Sequence, residues 1–151
     1  MTRAFAVMGA IKNEVPPRAK AALLRTWWNG WVTERRFQRG SKGCVMGCCA
    51  EDSIEHYAHC PIIGDFSSRG LGLDRGANRI ADFLVLNIPA SRVAEQRTSK
   101  AVLRLAAVYI SHCRWRHLRT QGYLQVDSLL QVLRELLGRH PIAEPSSSSS
   151  F

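Results

Sequence analysis

The sequence contains no long hydrophobic run and few cysteines. A membrane-spanning helix needs about 20 consecutive apolar residues, and no stretch of this 151-residue chain approaches that length. The five cysteines are an odd number, and four of them lie between positions 44 and 60 rather than being spread along the chain. This distribution argues against a secreted disulfide framework and favours a reducing compartment inside the cell, the nucleus or the cytoplasm. We expect no membrane partner.

Patterns that carry catalysis are also missing. The sequence has no Gly-x4-Gly-Lys-Ser/Thr phosphate loop, and no Ser/His/Asp arrangement or pair of aspartates suggests a hydrolase or transferase. The His-x-Glu and Pro-Cys-x-x-Cys pattern of zinc deaminases is absent too. There are no internal repeats. We therefore expect a protein that is not an enzyme.

Acidic residues are scarce. The chain has 12 Asp and Glu against 21 Lys and Arg, which gives a net charge of +9 and a pI near 10.0. Such an excess indicates an anionic partner, with RNA or DNA ahead of an acidic membrane surface. Residues 18–42 contain one acid among seven basic residues, and residues 97–119 contain six basic residues and no acid. The predicted phosphate-binding residues are Arg35, Arg36, Arg39, Lys42, Arg97, Lys100, Arg104 and Arg114. The alternative for residues 97–119 is a solvated helix face, and for residues 18–42 it is that the tryptophans among the basic residues serve as core anchors.

What the sequence does have is a cluster of cysteine and histidine, spaced Cys44-x3-Cys48-x7-His56-x3-Cys60. Thiolate and imidazole are the donors that tetrahedral Zn²⁺ takes, and four protein ligands indicate a closed, structural site. Gly47 allows a tight turn before the second cysteine. His56 and Cys60 are four residues apart and would share one face of a helical turn. We therefore predict a structural zinc ion bound by these four side chains.

Two alternatives remain open for this cluster. Cys49 could replace Cys48, and His59 could replace His56. We prefer His56 because its four-residue spacing from Cys60 suits one metal, whereas adjacent His59 and Cys60 point in different directions. The other interpretation is that these are ordinary buried cysteines with no metal.

Segments around this cluster carry a family resemblance. Residues 29–37 read Asn-Gly-Trp-Val-Thr-Glu-Arg-Arg-Phe, the cysteine pair follows, and residues 52–61 read Asp-Ser-x-Glu-His-Tyr-x-x-Cys-Pro. In this order the motifs resemble the zinc-binding domain found downstream of reverse transcriptase in non-LTR retrotransposon polyproteins. The resemblance covers about residues 20–65, and the chain departs from it in the three-residue gap between Cys44 and Cys48, where two is commoner. It implies nucleic-acid association as part of a longer retroelement protein, without polymerase activity in this chain.

Hydrophobic periodicity predicts a mainly α fold, with the small zinc knuckle between helices and an αα-hairpin at the C-terminal end. Helical spacing runs from Arg18 to about Gln38, with a split at Asn29–Gly30. Within it, Trp27 and Trp31 are expected in the core and Trp28 at the surface. Ser91 should cap the longest helix, which extends to about Leu118. The leucine repeat at 126–137 should pack on that helix.

The remaining predictions concern organisation and function. We divide the chain into an N-terminal segment (1–17), a helix plus zinc knuckle (18–65), a helical region (66–140) and a disordered serine-rich tail (141–151). Pro61 is expected to end the helical turn at His56, and residues 66–76 are expected to be rich in turns, with a short helix near Phe83. His112 is expected as an ordinary surface or interface residue and Cys113 in the core. The predicted function is a zinc-binding, nucleic-acid-associated module of a retrotransposon-derived protein. The alternative is a zinc-stabilised protein-interaction module in which the leucine repeat or the long helix docks a partner.

Overall fold

The computed structural model describes residues 2–11, 13–39, 43–74, 80–87, 89, 91–117 and 126–138. Within these ranges every regular element is a helix, and the mainly α prediction is confirmed. The helices are α1 (Thr2–Ala10), α2 (Pro17–Trp27), α3 (Glu34–Phe37), α4 (Ile54–Tyr57), α5 (Pro61–Leu71), α6 (Ile80–Phe83), α7 (Arg92–Trp115) and α8 (Val126–Leu137). Lys42, Leu118 and the predicted serine-rich tail at 141–151 lie outside the described residues.

Helix α7 is the centre of the fold. It has 24 residues, and α1, α2, α5, α6 and α8 all pack against it. Every residue from Val102 to Tyr109 is buried, which is the pattern of a helix with neighbours on all sides rather than of a surface helix with one apolar face. The side chain of Ser91 accepts a hydrogen bond from the backbone N–H of Ala94, so the predicted cap is present.

Helix α2 packs along α7 through a buried row of small and aliphatic side chains. Pro17 lies in its first turn, where the missing N–H is not needed. The helix ends at Trp27, and Asn29 has a left-handed backbone (φ +58°), so the predicted split is correct. The tryptophans divide as expected. Trp31 is fully buried, Trp27 packs partly buried against the core, and Trp28 is 78% exposed.

Helix α5 is a correction to the sequence prediction. Pro61 does not end helical structure but occupies the first turn of an eleven-residue helix, where proline is tolerated. Ile63 and Phe66 bury the inner face of this helix. It ends at Leu71, and Gly72 follows in a left-handed conformation (φ +62°) as the C-cap. Residues 66–71, expected as turns, are therefore helical.

Helix α8 covers the other side of α5 and α7. Its buried residues are Leu129, Val132, Leu133 and Leu136, and it packs on both of these helices. The α7–α8 pair is the predicted C-terminal αα-hairpin. Among the helices of the described residues, none combines the length and the apolar composition that crossing a membrane would require.

Candidate metal centre

The first arm of the centre is the tight loop from Cys44 to Ala50. Its ends are joined by a hydrogen bond from the backbone N–H of Cys44 to the carbonyl of Ala50 (2.7 Å). The backbone N–H of Met46 donates to the Cys44 sulfur (3.3 Å). Gly47 has φ +89°, which glycine adopts without strain, and so lets the chain reverse between the two cysteines.

The second arm is the short helix α4 and the start of α5. The side chain of Ser53 accepts a hydrogen bond from the backbone N–H of His56 (3.1 Å) and so caps α4. Cys60 follows as the N-cap residue of α5. Helix α4 ends at Tyr57, so His56 and Cys60 do not share one helical turn as predicted, but the chain from Ala58 to Cys60 still brings the Cys60 sulfur close to His56.

The two arms bring four ligand atoms together. The sulfurs of Cys44, Cys48 and Cys60 and one ring nitrogen of His56 all lie within 4.8 Å of one another. The Cys44 and Cys60 sulfurs are 4.0 Å apart, and those of Cys60 and Cys48 are 3.7 Å apart. Zn–S bonds of about 2.3 Å in a tetrahedron place sulfurs about 3.8 Å apart, whereas a disulfide needs about 2.05 Å. The cluster therefore has the dimensions of a tetrahedral metal site and could hold a metal ion.

The structure also shows which residue of each alternative pair belongs to the cluster. Cys48 and His56 belong to the cluster, and Cys48 Sγ lies 3.0 Å from His56 Nε2. Cys49 and His59 are exposed and lie outside it. Cys49 has a positive φ of 65°, and its side chain is exposed.

The protonation of the ligands follows from their crowding. A hydrogen bond with Cys60, together with burial, raises the pKa of the Cys44 thiol. Burial raises the pKa of Cys48 and lowers the pKa of His56. Without a cation the site thus favours neutral thiols and neutral imidazole. A divalent cation would stabilise thiolates instead, so metal binding near neutral pH should release protons.

A buried carboxylate lies beneath the ligands. Asp52 is 1% exposed, accepts a short hydrogen bond from the hydroxyl of Tyr57, and accepts another from the backbone N–H of Glu34 (2.9 Å). Its Oδ1 also lies 3.4 Å from Nε2 of His112 on α7. That last contact does not meet the geometry of a hydrogen bond. Asp52 therefore connects the second arm to both α3 and α7.

An aromatic cluster holds the centre against α7. Fully buried Trp31 lies with its ring centroid 5.6 Å from that of Tyr57, 5.2 Å from that of Tyr109 and 5.2 Å from that of His112. Its indole N–H donates to the hydroxyl of Thr26 (3.0 Å), so its one polar atom is paired.

The prediction of His112 as an ordinary surface or interface residue was wrong, since its side chain is completely buried in the core. Among the described residues neither of its ring nitrogens has a hydrogen-bond partner. The missed signal is its position three residues after Tyr109, on the apolar side of α7 that the sequence does show. Cys113, which was expected in the core, is partly buried and packs against the core.

Thr33 and Arg36, within the 29–37 segment that carries the resemblance, have a local structural role. Thr33 caps α3 by accepting a hydrogen bond from the backbone N–H of Arg36 (3.4 Å). The guanidinium of Arg36 then donates to the carbonyls of Asn29 and Trp31. It therefore fixes the turn between α2 and α3 that places Trp31 in the core.

The other predicted phosphate-binding residues differ in their surroundings. Arg35, Arg39, Arg97, Lys100 and Arg114 are exposed. Arg35 forms ion pairs with Glu51 (3.3 Å) and Glu55 (3.9 Å), and Arg114 pairs with Glu135 (2.8 Å).

Arg104 is not on an exposed face, and this part of the prediction was wrong. It is 6% exposed, donates to the carbonyl of Asp82 (3.0 Å), and lies over the ring of Phe83 at 5.6 Å. Burial lowers the pKa of its guanidinium. The cause is that α6 packs on the side of α7 from which Arg104 projects, so this arginine attaches α6 to the central helix.

Comparisons of the chain with protein-family models, with curated proteins and with solved structures give no match. The chemistry of the described residues is therefore the basis for any functional conclusion.

Proposed function

We propose that this chain is a zinc-binding module, with the zinc structural, that associates with RNA or DNA as part of a retroelement-type protein. The observation that carries the metal assignment is the set of three sulfurs and one imidazole nitrogen within 4.8 Å of one another. Soft thiolate donors combined with imidazole in a tetrahedron favour Zn²⁺ over Mg²⁺ or Ca²⁺, which prefer oxygen ligands.

The donor count supports a structural rather than a catalytic ion. Catalytic zinc sites usually have three protein ligands and one open position, whereas four protein ligands fill the tetrahedron. Cys44 and Cys60 are also 5% and 2% exposed, so the site offers substrate little access from their side. A bound ion would close the loop of the first arm onto α4. Structural zinc of this kind contributes on the order of 10 kcal/mol of apparent binding free energy to folding.

Nucleic-acid association is supported by charge and by the retroelement resemblance. The net charge is +9, and many of the arginines and lysines of the described part are exposed. Lys and Arg side chains that neutralise phosphates release counterions, so the association should weaken steeply with salt.

The protein-interaction alternative has less support. The leucine repeat on which it partly depended is buried against α5 and α7, with Leu129 and Leu133 at 0% and 3% exposed. That repeat therefore contributes to this chain's own core.

The first test is the metal content of the purified chain, measured by elemental analysis alongside titration of reactive thiols. We expect one zinc per chain and three thiols protected until a chelator is added. Replacement of zinc by Co²⁺ should give the intense visible absorption of a tetrahedral thiolate site. A protein without metal, whose thiols all react freely, would contradict the zinc assignment.

The second test is binding to RNA and DNA over a range of salt concentrations. We expect binding at low salt that falls as salt rises, by about 0.7–0.9 in log–log slope for each phosphate contacted. Absence of binding to any polynucleotide at low salt would contradict the nucleic-acid assignment and favour the protein-interaction alternative.

A further inference from the structure

We propose that the groove between α2 and α7 binds a single strand of RNA or DNA, with arginines holding its phosphates and Trp28 stacking on a base. This inference rests on the proposed nucleic-acid association and assigns it to one surface. The groove has a volume of about 390 Å³. Residues that line it include Arg18, Ala22, Arg25, Tyr109, Ile110 and Arg114.

The first support is the charge of the groove. Three arginines from two helices line it, and no acidic residue is among the described residues that do so. Arg18 and Arg25 are exposed, and neither forms an ion pair with any described carboxylate. Arg114 is partly engaged by Glu135 (2.8 Å). Arg18 and Arg25 are therefore the main candidates for phosphate contacts.

The spacing of these two arginines suits a chain of phosphates. They are seven residues apart on α2, so they project from one face of the helix about 10 Å apart along its axis. Between them the groove is lined by the small side chains of Ala21 and Ala22. An extended backbone could therefore lie between the two guanidinium groups.

The second support is the position of Trp28. It lies three residues after Arg25, at the C-terminal end of α2, and its indole is 78% exposed. The guanidinium of Arg36 holds the adjacent carbonyl of Asn29 and so fixes the turn that presents this ring. An exposed aromatic ring three residues after an arginine of the groove combines the stacking surface and the positive charge that proteins use for unpaired bases.

This arrangement favours a single strand over a duplex. The face of a base is free to stack on an aromatic side chain only when its neighbour in the strand is unstacked. Stacking platforms of this kind tolerate any sequence, because every base has a π face. We therefore expect little sequence preference and a clear preference for unpaired RNA or DNA.

The test uses the zinc-loaded full chain and fluorescence anisotropy with labelled oligo(U), oligo(dT) and a mixed-sequence duplex. The groove variant is Arg18→Glu with Arg25→Glu. Its matched control is Arg92→Glu with Arg134→Glu, two exposed arginines outside the groove that give the same change in net charge. At low salt the groove variant should bind oligo(U) at least about tenfold more weakly than the control variant does. Zinc content and melting temperature, measured for both, establish that each is folded.

Milder substitutions separate the two kinds of contact. Arg18→Ala with Arg25→Ala should lower the salt slope of single-strand binding by about 1.4, since each phosphate contact contributes about 0.7. Trp28→Ala should leave that slope unchanged and weaken single-strand binding at least about fivefold. Its effect on the duplex should be small.

The outcomes distinguish this inference from the function on which it rests. If the native chain binds polynucleotide and the groove variant binds as tightly as its charge control, the groove assignment is overturned while nucleic-acid association stands. If Trp28→Ala affects neither substrate, or the duplex binds as tightly as the single strand, the stacking role is overturned. If the native chain binds none of the three probes at low salt, both proposals fail together.

Discussion

At the scale of single residues, the spacing of Cys44, Cys48, His56 and Cys60 was sufficient to predict the cluster that the fold assembles. Spacing alone could not choose between adjacent residues such as Cys48 and Cys49. The choice depends on the course of the backbone, which has positive φ at Gly47 and Cys49 and leaves Cys48 in the cluster and Cys49 exposed. Such torsions are set by the hydrogen bonds that close the loop, and these become visible only in three dimensions.

The first prediction compares these adjacent cysteines. Cys48→Ser should abolish stoichiometric zinc binding, because it removes one of four ligands. Cys49→Ser should leave one zinc per chain, because that side chain is exposed and outside the cluster. Elemental analysis and melting temperature measured on both variants provide the check. Equal metal content in the two variants would show that the ligand assignment is wrong.

The second prediction concerns the buried contact beneath the ligands. Tyr57→Phe removes the hydroxyl that donates to Asp52 and accepts from the backbone N–H of Val45. Because Asp52 is almost fully buried, we expect the free energy of unfolding to fall by about 1–3 kcal/mol. Zinc stoichiometry should not change, since no ligand is lost.

Urea unfolding of the zinc-loaded proteins measures this effect, with Tyr109→Phe as the control. The Tyr109 hydroxyl makes a long contact to the carbonyl of Gly30 (3.5 Å) and also lies beside Cys113 and Arg25, but it bonds no buried carboxylate, so its loss should cost about 0.5 kcal/mol. If the two variants are equally stable, the Tyr57–Asp52 contact does not support the centre.

At the scale of helices, strong periodicity predicted α2, α7 and α8, whereas α5 was missed. Pro61 reads as a terminator in sequence, but in the fold it begins a helix. Gly64 and Gly70 further weaken the helical signal there. Packing against α7 and α8 overrides this weak local preference. At Gly70 the packing also requires a residue without a side chain. A Cβ at this position would lie 2.7 Å from Cδ2 of Leu130 on α8.

The third prediction compares the two glycines of α5. Gly64→Ala should stabilise the protein by up to about 1 kcal/mol, since alanine favours helix and nothing lies within 4 Å of the new Cβ. Gly70→Ala gains the same helix preference but forces Leu130 to move, and overpacking costs about 1–3 kcal/mol. The Gly70 variant should therefore be the less stable of the two in thermal or urea unfolding. The opposite order of stability would mean that Leu130 on α8 can move away from the new Cβ at little energetic cost.

At the scale of the whole molecule, one turn of α7 connects the candidate metal centre with the arginine-lined groove. His112 lies against Asp52 and Trp31 on the side of the centre. Tyr109 contacts Trp31 and also lines the groove. Composition predicted a basic surface for an anionic partner but could not locate that surface. Arg104 and Arg114 both belong to the basic segment 97–119, yet Arg104 is buried and Arg114 is exposed. Only the placement of α6 against α7 distinguishes them.

The fourth prediction is the effect of removing the metal from the whole chain. The contacts of α7 with α2 and α8 do not pass through the ligand loops, and α4 contributes only four helical residues. Chelation should therefore lower the melting temperature and increase amide hydrogen exchange across residues 43–60, while most of the helical circular dichroism remains. Exchange measured by mass spectrometry with and without chelator, followed by restoration of zinc, tests this. Complete loss of the helical signal on chelation would show instead that the entire fold requires the ion. Trp31 and Tyr57 would then pack against α7 only while the metal is bound. In that case the groove between α2 and α7 would form only in the zinc-loaded protein, and nucleic-acid binding would disappear with the metal.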